Sequence, residues 1–548
     1  MSEWTPPAPG PWQQDQAHMP EAMSPVMQEL YPAGFNRGFT ETFSRYGVLL
    51  DRLAMASVNG FTYHQPQPFD LPGPDGPMTP DEIGAEIGRR TQVAAESFEK
   101  KRWREDLLDW DTVRKPASIA RHRELGDVDL ARLDEAQLAE HLLACRSHVQ
   151  DMTYQHHRYN MAAMLPVGDF LLAASGLLQR PPTALLGVFD GCSPVSAVVS
   201  PEIATAVEGV SEDAGARALV VGDGDPAERL AALRERVPAV DDYVRTVRMR
   251  LIEGFDVLNP TLGEMPEILL GRLAAALDAD PAEARRRADS FVESLRAELS
   301  GEALQQFDEL LDEARLVYRL RDERGLYSDI SAVGLLRLAL LEVGHRLHAQ
   351  GRLHDPEHVL DATFDLAVGV LADPRPVADE LGAAAAARQA ATAAGAPRHL
   401  GDPPPPRPPL EQLPPPLARV MAAVGFLIEG ILGQLEEPAG TGATVVGIPA
   451  SAGVAEGRAR LVRDAADLIT LEPGDVLVAR ATGEACNSIL HLLSGIVTDH
   501  GSFACHAGIV AREMGFPAVV GTVNGTERIS DGDRVRVDGT TGEVTILG

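Results

Sequence analysis

One histidine near the C-terminus lies where a protein could hold a phosphoryl group. A strand-like run over residues 495–499 leads into a turn at Gly501, and a short helix follows until the Gly-Phe-Pro sequence at residues 515–517. His506 therefore lies near the start of that helix, where backbone N–H groups are unpaired and the helix dipole favours negative charge. A basic imidazole nitrogen can attack the phosphorus of a donor, and the phosphoramidate formed is itself a good phosphoryl donor.

The sequence around His506 resembles the phosphohistidine swivelling domain of the phosphoenolpyruvate-utilising enzymes. This family includes phosphoenolpyruvate synthase, pyruvate phosphate dikinase and rifampin phosphotransferase. The resemblance covers about residues 446–547, which is far more than one short motif. Besides the segment over residues 498–521 it rests on Gly447-Ile-Pro-Ala-Ser-Ala-Gly453, Gly457-Arg-Ala-Arg460, Pro473-Gly-Asp-Val-Leu-Val-Ala479 and Ile529-Ser-Asp-Gly-Asp-Arg-Val-Arg-Val-Asp538.

The resemblance implies roles for the residues of this segment. His506 would be the catalytic phosphoryl carrier, and Thr482 would lie in the loop that borders it. Asp499, Gly501 and Ser502 would support the site. For Asp499 a role at the strand end or in the turn is favoured, with a catalytic role as the minor alternative.

Several positions near the histidine depart from the family pattern. Ser502 stands where a second Gly or Ala is usual, Ala504 where Ser or Thr is frequent, and Gly508 where a small non-glycine residue is usual. Ala504 offers no hydroxyl that could orient the ring two residues later. The loop over residues 481–490 keeps Thr482 but lacks the proline and tryptophan of the family. Whether His506 is phosphorylated therefore stays open.

The composition is that of a soluble globular protein of two to four domains. A formal net charge of −31 argues against nucleic acid and against an anionic membrane as partners. The four cysteines have no metal-ligand spacing, the N-terminus has no signal-peptide pattern, and no apolar run reaches membrane-spanning length, so we expect a cytoplasmic protein. His156 and His157 are consecutive and cannot face one metal as an i,i+4 pair would, so no metal site is predicted.

Residues 1–397 are predicted to form a large all-α domain, because Leu and Ala recur there at helical spacing. This part resembles the helical substrate domain of rifampin phosphotransferase-like enzymes. The matching stretches are Asp15…His18…Pro20…Ser24-Pro25, Val58-Asn-Gly-Phe-Thr-Tyr63, Thr261-Leu-Gly-Glu-Met-Pro266, Tyr318-Arg-Leu-Arg-Asp-Glu-Arg324 and Gly344-His-Arg-Leu-His-Ala-Gln-Gly351.

The second resemblance implies substrate-binding residues in the helical domain. The candidates are His18, Tyr63, Glu264, Arg319, Asp322, Glu323 and Arg324. The alternative for the charged residues is a solvated helix face with internal ion pairs. For Glu264 it is a carboxylate at a helix start.

Changes of composition divide the rest of the chain. Proline tracts over residues 398–416 predict a stiff linker. Residues 417–442 predict an apolar helix followed by a hinge, and residues 443–548 contain seven strand-like runs. The predicted fold class is thus a multidomain protein with a large all-α N-terminal domain, a Pro-rich linker and a C-terminal α/β phosphohistidine-type swivelling domain.

Three functions are consistent with this organisation. In the first, a phosphotransferase-like enzyme or subunit passes a phosphoryl group through His506 to a small-molecule acceptor on the helical domain. The sequence has no GxxxxGK[ST] motif and no stretch placed to form the family's ATP-grasp or phosphoenolpyruvate-binding domain. We therefore expect no cofactor on this chain, and expect ATP with Mg²⁺, or phosphoenolpyruvate, on a separate ATP-grasp or phosphoenolpyruvate-binding partner. The second function is phosphate-independent acid/base catalysis by His506, as in an elimination or dehydration, and the third is non-catalytic binding.

Overall fold

The computed structural model describes residues 3–70, 76–403, 409–432, 437–463, 465–482 and 490–547. Parts of three predicted segments lie outside these residues: 404–408 of the linker, 433–436 of the segment predicted as helix and hinge, and 483–489 of the loop after Thr482. The predicted domain boundaries stay predictions. The elements on either side of them are as follows.

Helices account for most of the chain up to residue 432, as the spacing of apolar residues predicts. Thr79 starts the second helix, because its hydroxyl accepts the N–H of Glu82 while the Glu82 carboxylate accepts the N–H of Thr79. The helices are α1 (Pro25–Tyr46), α2 (Pro80–Glu99), α3 (Arg102–Asp109), α4 (Lys115–Gly126), α5 (Glu135–Arg158), α6 (Asn160–Leu178), α7 (Pro201–Ser211), α8 (Ala214–Val221), α9 (Pro226–Arg236), α10 (Pro238–Val247), α11 (Pro266–Asp278), α12 (Glu283–Arg296), α13 (Gly301–Tyr318), α14 (Leu320–Leu326), α15 (Asp329–Ala349), α16 (Phe364–Gly369), α17 (Ala378–Ala394) and α18 (Pro415–Leu432).

The N-terminal part is not all-α, so that prediction is wrong. A four-stranded sheet of order β2-β3-β1-β4 is formed by β1 (Trp12–Gln14), β2 (Leu50–Val58), β3 (Phe61–Pro68) and β4 (His399–Leu400). The hairpin of β2 and β3 turns at Asn59 and Gly60, whose φ angles are 52° and 91°. Both central positions of such a turn need positive φ, which Asn-Gly supplies at low cost. This dipeptide was the signal that the helical interpretation missed.

The start of the predicted linker belongs to this sheet. β4 pairs with β1, so residues 399 and 400 are held against Trp12 and Gln13. After the prolines, α18 packs along α6, where Arg419 makes two hydrogen bonds of 2.6 Å to the Asp169 carboxylate. The apolar helix predicted after the linker is therefore docked on the helical part.

The C-terminal part is an eight-stranded mixed sheet with short helices. Its order is β5-β12-β11-β7-β8-β9-β10-β6, and the four strands β7, β8, β9 and β10 run parallel. The strands are β5 (Thr444–Val446), β6 (Ile448–Ser451), β7 (Val454–Val462), β8 (Val476–Ala479), β9 (Gly495–Thr498), β10 (Ala518–Val520), β11 (Arg534–Asp538) and β12 (Glu543–Ile546). The helices are α19 (Ala465–Leu468), α20 (His506–Met514) and α21 (Gly525–Arg528). This confirms a C-terminal α/β region.

One stretch of the described chain, Glu135–Leu178, is long and apolar enough to meet the criteria for a membrane span by length and composition. Of its most apolar window, 72% is buried inside the protein. α5 and α6, which form this stretch, contribute Val149, Leu165 and Phe170 to the main hydrophobic core. Core helices commonly pass this test, so the stretch is weak evidence for a membrane.

Candidate functional site

Two neighbouring parallel strands bring Thr482 and His506 together. β8 and β9 pair in parallel, so their carboxyl ends meet at one edge of the sheet, where α/β proteins form their sites. Thr482 follows β8, and the chain after β9 turns at Gly501 with φ of 97° before α20 begins at His506. A Cβ atom at Gly501 would lie 2.8 Å from the Cys505 sulfur, so the turn requires glycine.

The imidazole of His506 has one engaged and one unengaged nitrogen. Nδ1 lies 3.1 Å from the Thr482 hydroxyl, whereas Nε2 is buried and has no hydrogen-bond partner in the described chain. Burial lowers the pKa of His506 to about 4, an effect that the Asp322 carboxylate opposes and the Arg321 guanidinium reinforces. The ring is thus neutral at pH 7, the form that can act as a nucleophile. A buried polar atom without a partner is rare and calls for an explanation such as a ligand.

Residues of α14 cover His506 from the helical part. The Arg321 guanidinium donates to a backbone carbonyl in the loop just before the histidine, at 2.5 Å. Asp322 is buried and accepts hydrogen bonds from two hydroxyls of a neighbouring 3₁₀ segment, those of Ser193 and Ser196. The histidine is therefore close enough to a guanidinium and a carboxylate of the helical part for both groups to affect its pKa.

Helices α18 and α12 contact the same region of the C-terminal part. The N–H of Ala504 donates to the carbonyl of Gly430 at 2.7 Å, and the Phe503 ring lies 5.1 Å from that of Phe426. On the other side, Arg287 of α12 donates to backbone carbonyls at the end of α20. The helix predicted to precede the hinge is thus one of the surfaces on which the His506 loop rests.

Two carboxylates, Glu513 (buried) and Asp190 (half-buried), lie at this contact. Glu513 of α20 accepts the N–H of Gly191 at 2.7 Å. Burial raises the pKa of Glu513 to about 8, and the neighbouring Asp190 carboxylate adds to the shift while Arg512 opposes it. Burial also raises the pKa of Asp190 to about 6, against the effect of nearby arginines. The sequence analysis did not single out either carboxylate, because their burial depends on how the two parts pack.

The predicted supporting residues have different roles. Thr482 contacts the histidine, as described. Asp499 is buried and accepts hydrogen bonds from Thr522 and Thr526, which hold the loop after β10. Ser502 is buried, and its carbonyl accepts the N–H of Cys505, so its observed role is to close the turn before α20.

The charged residues predicted on the segment 319–324 divide among three surroundings. Asp322 lies near His506, close enough to affect its pKa. Arg319 and Glu323 pair with each other at 2.8 Å, and Glu323 also accepts from Trp110 and Lys115, so these two belong to an ion network. Arg324 belongs to a second buried cluster, where its guanidinium donates to the carbonyl of His156. The structure places only Asp322 of this candidate set beside His506.

That second cluster begins with Asp15, His18 and His64. The Asp15 carboxylate accepts from His64 Nε2 at 2.8 Å and lies 3.1 Å from His18 Nδ1. Burial opposes ionisation of Asp15, yet the two histidines hold its pKa well below the ordinary value. His64 Nδ1 is buried without a hydrogen-bond partner among the residues described. His18 was predicted, but His64 was not.

Tyr63 and Glu264 lie away from both clusters. The Tyr63 hydroxyl donates to the carbonyl of Pro397, and its ring packs with Trp12 and Phe61 in a small separate core. Successive side chains of a strand point to opposite faces, so residue 64, and not 63, faces the histidines. The Glu264 carboxylate accepts the N–H of Thr261 and pairs with Arg337. This is the structural role of a carboxylate at a helix start, which was the alternative interpretation of Glu264.

The second cluster continues with His156, His157 and Asp329. The two imidazole rings are stacked, with centroids 4.4 Å apart and planes 9° from parallel. His156 Nδ1 lies 2.7 Å from an Asp329 carboxylate oxygen. Burial raises the pKa of Asp329 to about 7 and lowers those of His156 and His157 well below the ordinary value. The argument that consecutive histidines cannot face one point is therefore wrong for this pair.

Comparison with known proteins agrees with the resemblance found in the sequence. Residues 471–542 match the model of the family described as PEP-utilising enzyme, mobile domain. Rifampicin phosphotransferase of Streptomyces sviceus is 30% identical over 343 residues, which are 60% of this chain and 36% of that protein. Phosphoenolpyruvate synthase of Aeropyrum pernix is 48% identical over 103 residues, or 18% of this chain and 12% of that one.

The C-terminal part presents a histidine at the start of a helix in a β-α-β unit, and this part is similar to the mobile domain of PEP-utilising enzymes. The chain spans about a third of the length of the two Streptomyces rifampicin phosphotransferases to which it is similar. A solved structure of Enzyme I, 19% identical and covering 38% of this chain and 65% of that one, aligns with a TM-score of only 0.15 and adds nothing to the fold argument.

Proposed function

We propose that this protein is a phosphotransferase in which His506 carries a phosphoryl group on Nε2 and passes it to a small molecule bound by the helical part. The observation that carries this proposal is the neutral imidazole whose buried Nε2 has no hydrogen-bond partner in the described chain. The match of residues 471–542 to the mobile domain of PEP-utilising enzymes, and the names of the relatives, rifampicin phosphotransferase and phosphoenolpyruvate synthase, support the same class of chemistry.

The tautomer follows from the contact with Thr482. If Nδ1–H donates to the Thr482 oxygen, the lone pair lies on Nε2, which then attacks the donor phosphorus while the bond from that phosphorus to the donor's leaving oxygen breaks. The positive charge of Arg321 acts on the ring, so its guanidinium would attract the oxygens of the phosphoryl group. Asp322 would take the proton of the acceptor hydroxyl as that oxygen attacks the phosphorus, and the bond from phosphorus to Nε2 breaks.

Loading of His506 requires a donor site. We propose that ATP with Mg²⁺, or phosphoenolpyruvate, is bound by a separate domain or partner protein of the ATP-grasp or phosphoenolpyruvate-binding kind. The C-terminal part would bind to that partner and return to the helical part, with the hinge predicted at residues 436–442. The contacts it makes at the helical part, through Arg321, Arg287 and Phe503, would have to separate and re-form in each cycle.

The test is phosphohistidine formation with candidate partners and either γ-labelled ATP or labelled phosphoenolpyruvate. We expect acid-labile, base-stable label on the full-length protein and none on His506→Ala. His354→Ala is the matched control, because His354 is exposed and far from the site in sequence. Transfer to a small molecule should then remove label from the protein in proportion to product formed.

The other two functions are outcomes of the same experiment. If no donor labels the protein but product formation in unlabelled assays still depends on His506, the histidine is an acid/base catalyst. If neither label nor a His506-dependent product is found, the protein binds without catalysis. Either result overturns the phosphotransferase proposal.

A further inference from the structure

Three metal-ligand side chains converge in the second buried cluster, outside the His506 site. His156 and His157 end α5, and Asp329 begins α15. One donor atom from each lies within 4.8 Å of the other two, and the exposed fractions are 8%, 7% and 0%. Burying such polar side chains costs free energy unless something pairs with them, and the buried Nε2 of His157 has no hydrogen-bond partner in the described chain.

The surroundings of these residues fit a bound cation. Asp329 accepts the Tyr31 hydroxyl at 2.8 Å and the N–H of Ile330 at 3.1 Å, so its carboxylate is oriented in the way that ligating carboxylates are. The His157 ring is fixed between the Phe35 and Phe39 rings, at 4.4 and 5.2 Å. Its Nε2 is buried and has no hydrogen-bond partner among the described residues.

We propose that His156, His157 and Asp329 form a binding site for one divalent transition-metal ion of the Zn²⁺ class. Two imidazoles and one carboxylate are the donor set that such ions accept, at about 2.0–2.2 Å from each donor. The ion would replace the proton now shared by His156 Nδ1 and the Asp329 carboxylate. One proton is released to solvent, the nitrogen lone pair binds the metal, and the nitrogen–oxygen separation widens from 2.7 Å to about 3 Å.

The nearby charged residues affect how tightly the site would bind a metal ion. Arg324 lies close enough to oppose a cation, and its guanidinium is held by the His156 carbonyl and the Asn160 side chain. Asp15, in the adjacent group with His64 and His18, supplies a compensating negative charge. Three protein ligands leave a coordination position for an oxygen of a small molecule, as in catalytic zinc sites. Only this last role rests on the proposed phosphotransferase function; metal binding does not.

The test is metal binding by the full-length protein after chelator treatment. Titration with Zn²⁺ in two buffers of different ionisation enthalpy should give one tight site and release of about one proton per ion. Co²⁺ in its place should give visible d–d absorption. Asp329→Asn and His157→Gln should each weaken binding by at least tenfold, in line with the loss that even outer-shell changes produce.

Two controls separate this proposal from the others. His345→Ala removes an exposed histidine, and binding should be unchanged. His506→Ala should abolish the phosphohistidine label but retain the metal, whereas Asp329→Asn should lose the metal but retain the label. Absence of a tight Zn²⁺ site in the unmodified protein overturns the proposal even if a variant fails to fold. The proposal is also overturned if Asp329→Asn and His157→Gln bind Zn²⁺ as tightly as the unmodified protein.

Discussion

At the scale of single residues, a few contacts decide which side chains can react. Nδ1 of His506 is engaged by Thr482, and Nε2 is left without a partner in the described chain. Burial keeps the ring neutral at pH 7, because the pKa of His506 falls to about 4. Ala504, the position where the family often has a hydroxyl, contributes only its backbone here. Thr482 therefore supplies the hydroxyl that Ala504 cannot.

Thr482→Val should slow phosphorylation of His506 about fivefold to tenfold. The substitution keeps the shape of the side chain but removes a hydrogen bond worth about 1 kcal/mol, so the productive tautomer is no longer favoured. The rate of phosphohistidine formation measures the effect. Thr482→Ser should restore most of the rate, and equal slowing by both variants would show that packing, and not the hydroxyl, matters.

At the scale of elements, the site depends on where strands end and where helices touch. His506 and Thr482 meet only because β8 and β9 are adjacent and parallel. On the helical side, α18 approaches α6 so closely that a Cβ at Gly168 would lie 2.3 Å from the Ala423 carbonyl oxygen. α18 also carries Phe426 and Gly430, which contact the His506 loop. The packing of α18 against α6 thus fixes the position of the helix that contacts the His506 loop.

Gly168→Ala should destabilise the protein by about 1–3 kcal/mol, because the added methyl group must push α18 away from α6. Chemical denaturation, followed by far-UV circular dichroism, measures the change. Gly176→Ala is the matched control on the same helix, since nothing lies within 4 Å of its Cβ position. The control should be neutral or stabilising by up to about 1 kcal/mol. Similar losses in both variants would mean that the close helix contact is unimportant.

At the scale of the whole molecule, the two parts meet through a surface that holds two carboxylates. Asp190 and Glu513 have raised pKa values, of about 6 and about 8, against ordinary values of about 3.9 and 4.3. The docked form therefore binds more protons than a form in which these groups are in water. It follows that docking is favoured at low pH and weakens as pH rises through about 4 to 8.

The C-terminal part should consequently separate from the helical part more readily at pH 8.5 than at pH 6.5. Small-angle X-ray scattering should show a larger radius of gyration at the higher pH. In Glu513→Gln the side-chain oxygen can still accept the Gly191 N–H, so docking should persist and its pH dependence should flatten. Glu543→Gln, an exposed position of the same part, should behave as the unmodified protein. An unchanged pH dependence in Glu513→Gln would contradict the assignment.

The sequence by itself determined the chemistry-bearing segment of this protein. The strand, glycine turn and helix around His506 are local patterns, and local patterns are readable because hydrogen bonding and φ preferences act between near neighbours. The sequence also indicated that most of the N-terminal part is helical, although the helical interpretation overlooked the Asn59-Gly60 hairpin.

Only the tertiary structure decided which distant residues share a site. His64 replaces Tyr63 as the residue facing His18, because a strand's face depends on its pairing register. His156 and His157 meet Asp329 across two helices, although His156 and Asp329 are 173 positions apart in the chain. Asp322 comes near His506 only because the C-terminal part is docked. Burial, which sets the charge state of each of these groups, is a property of packing between segments and is not encoded in any one of them.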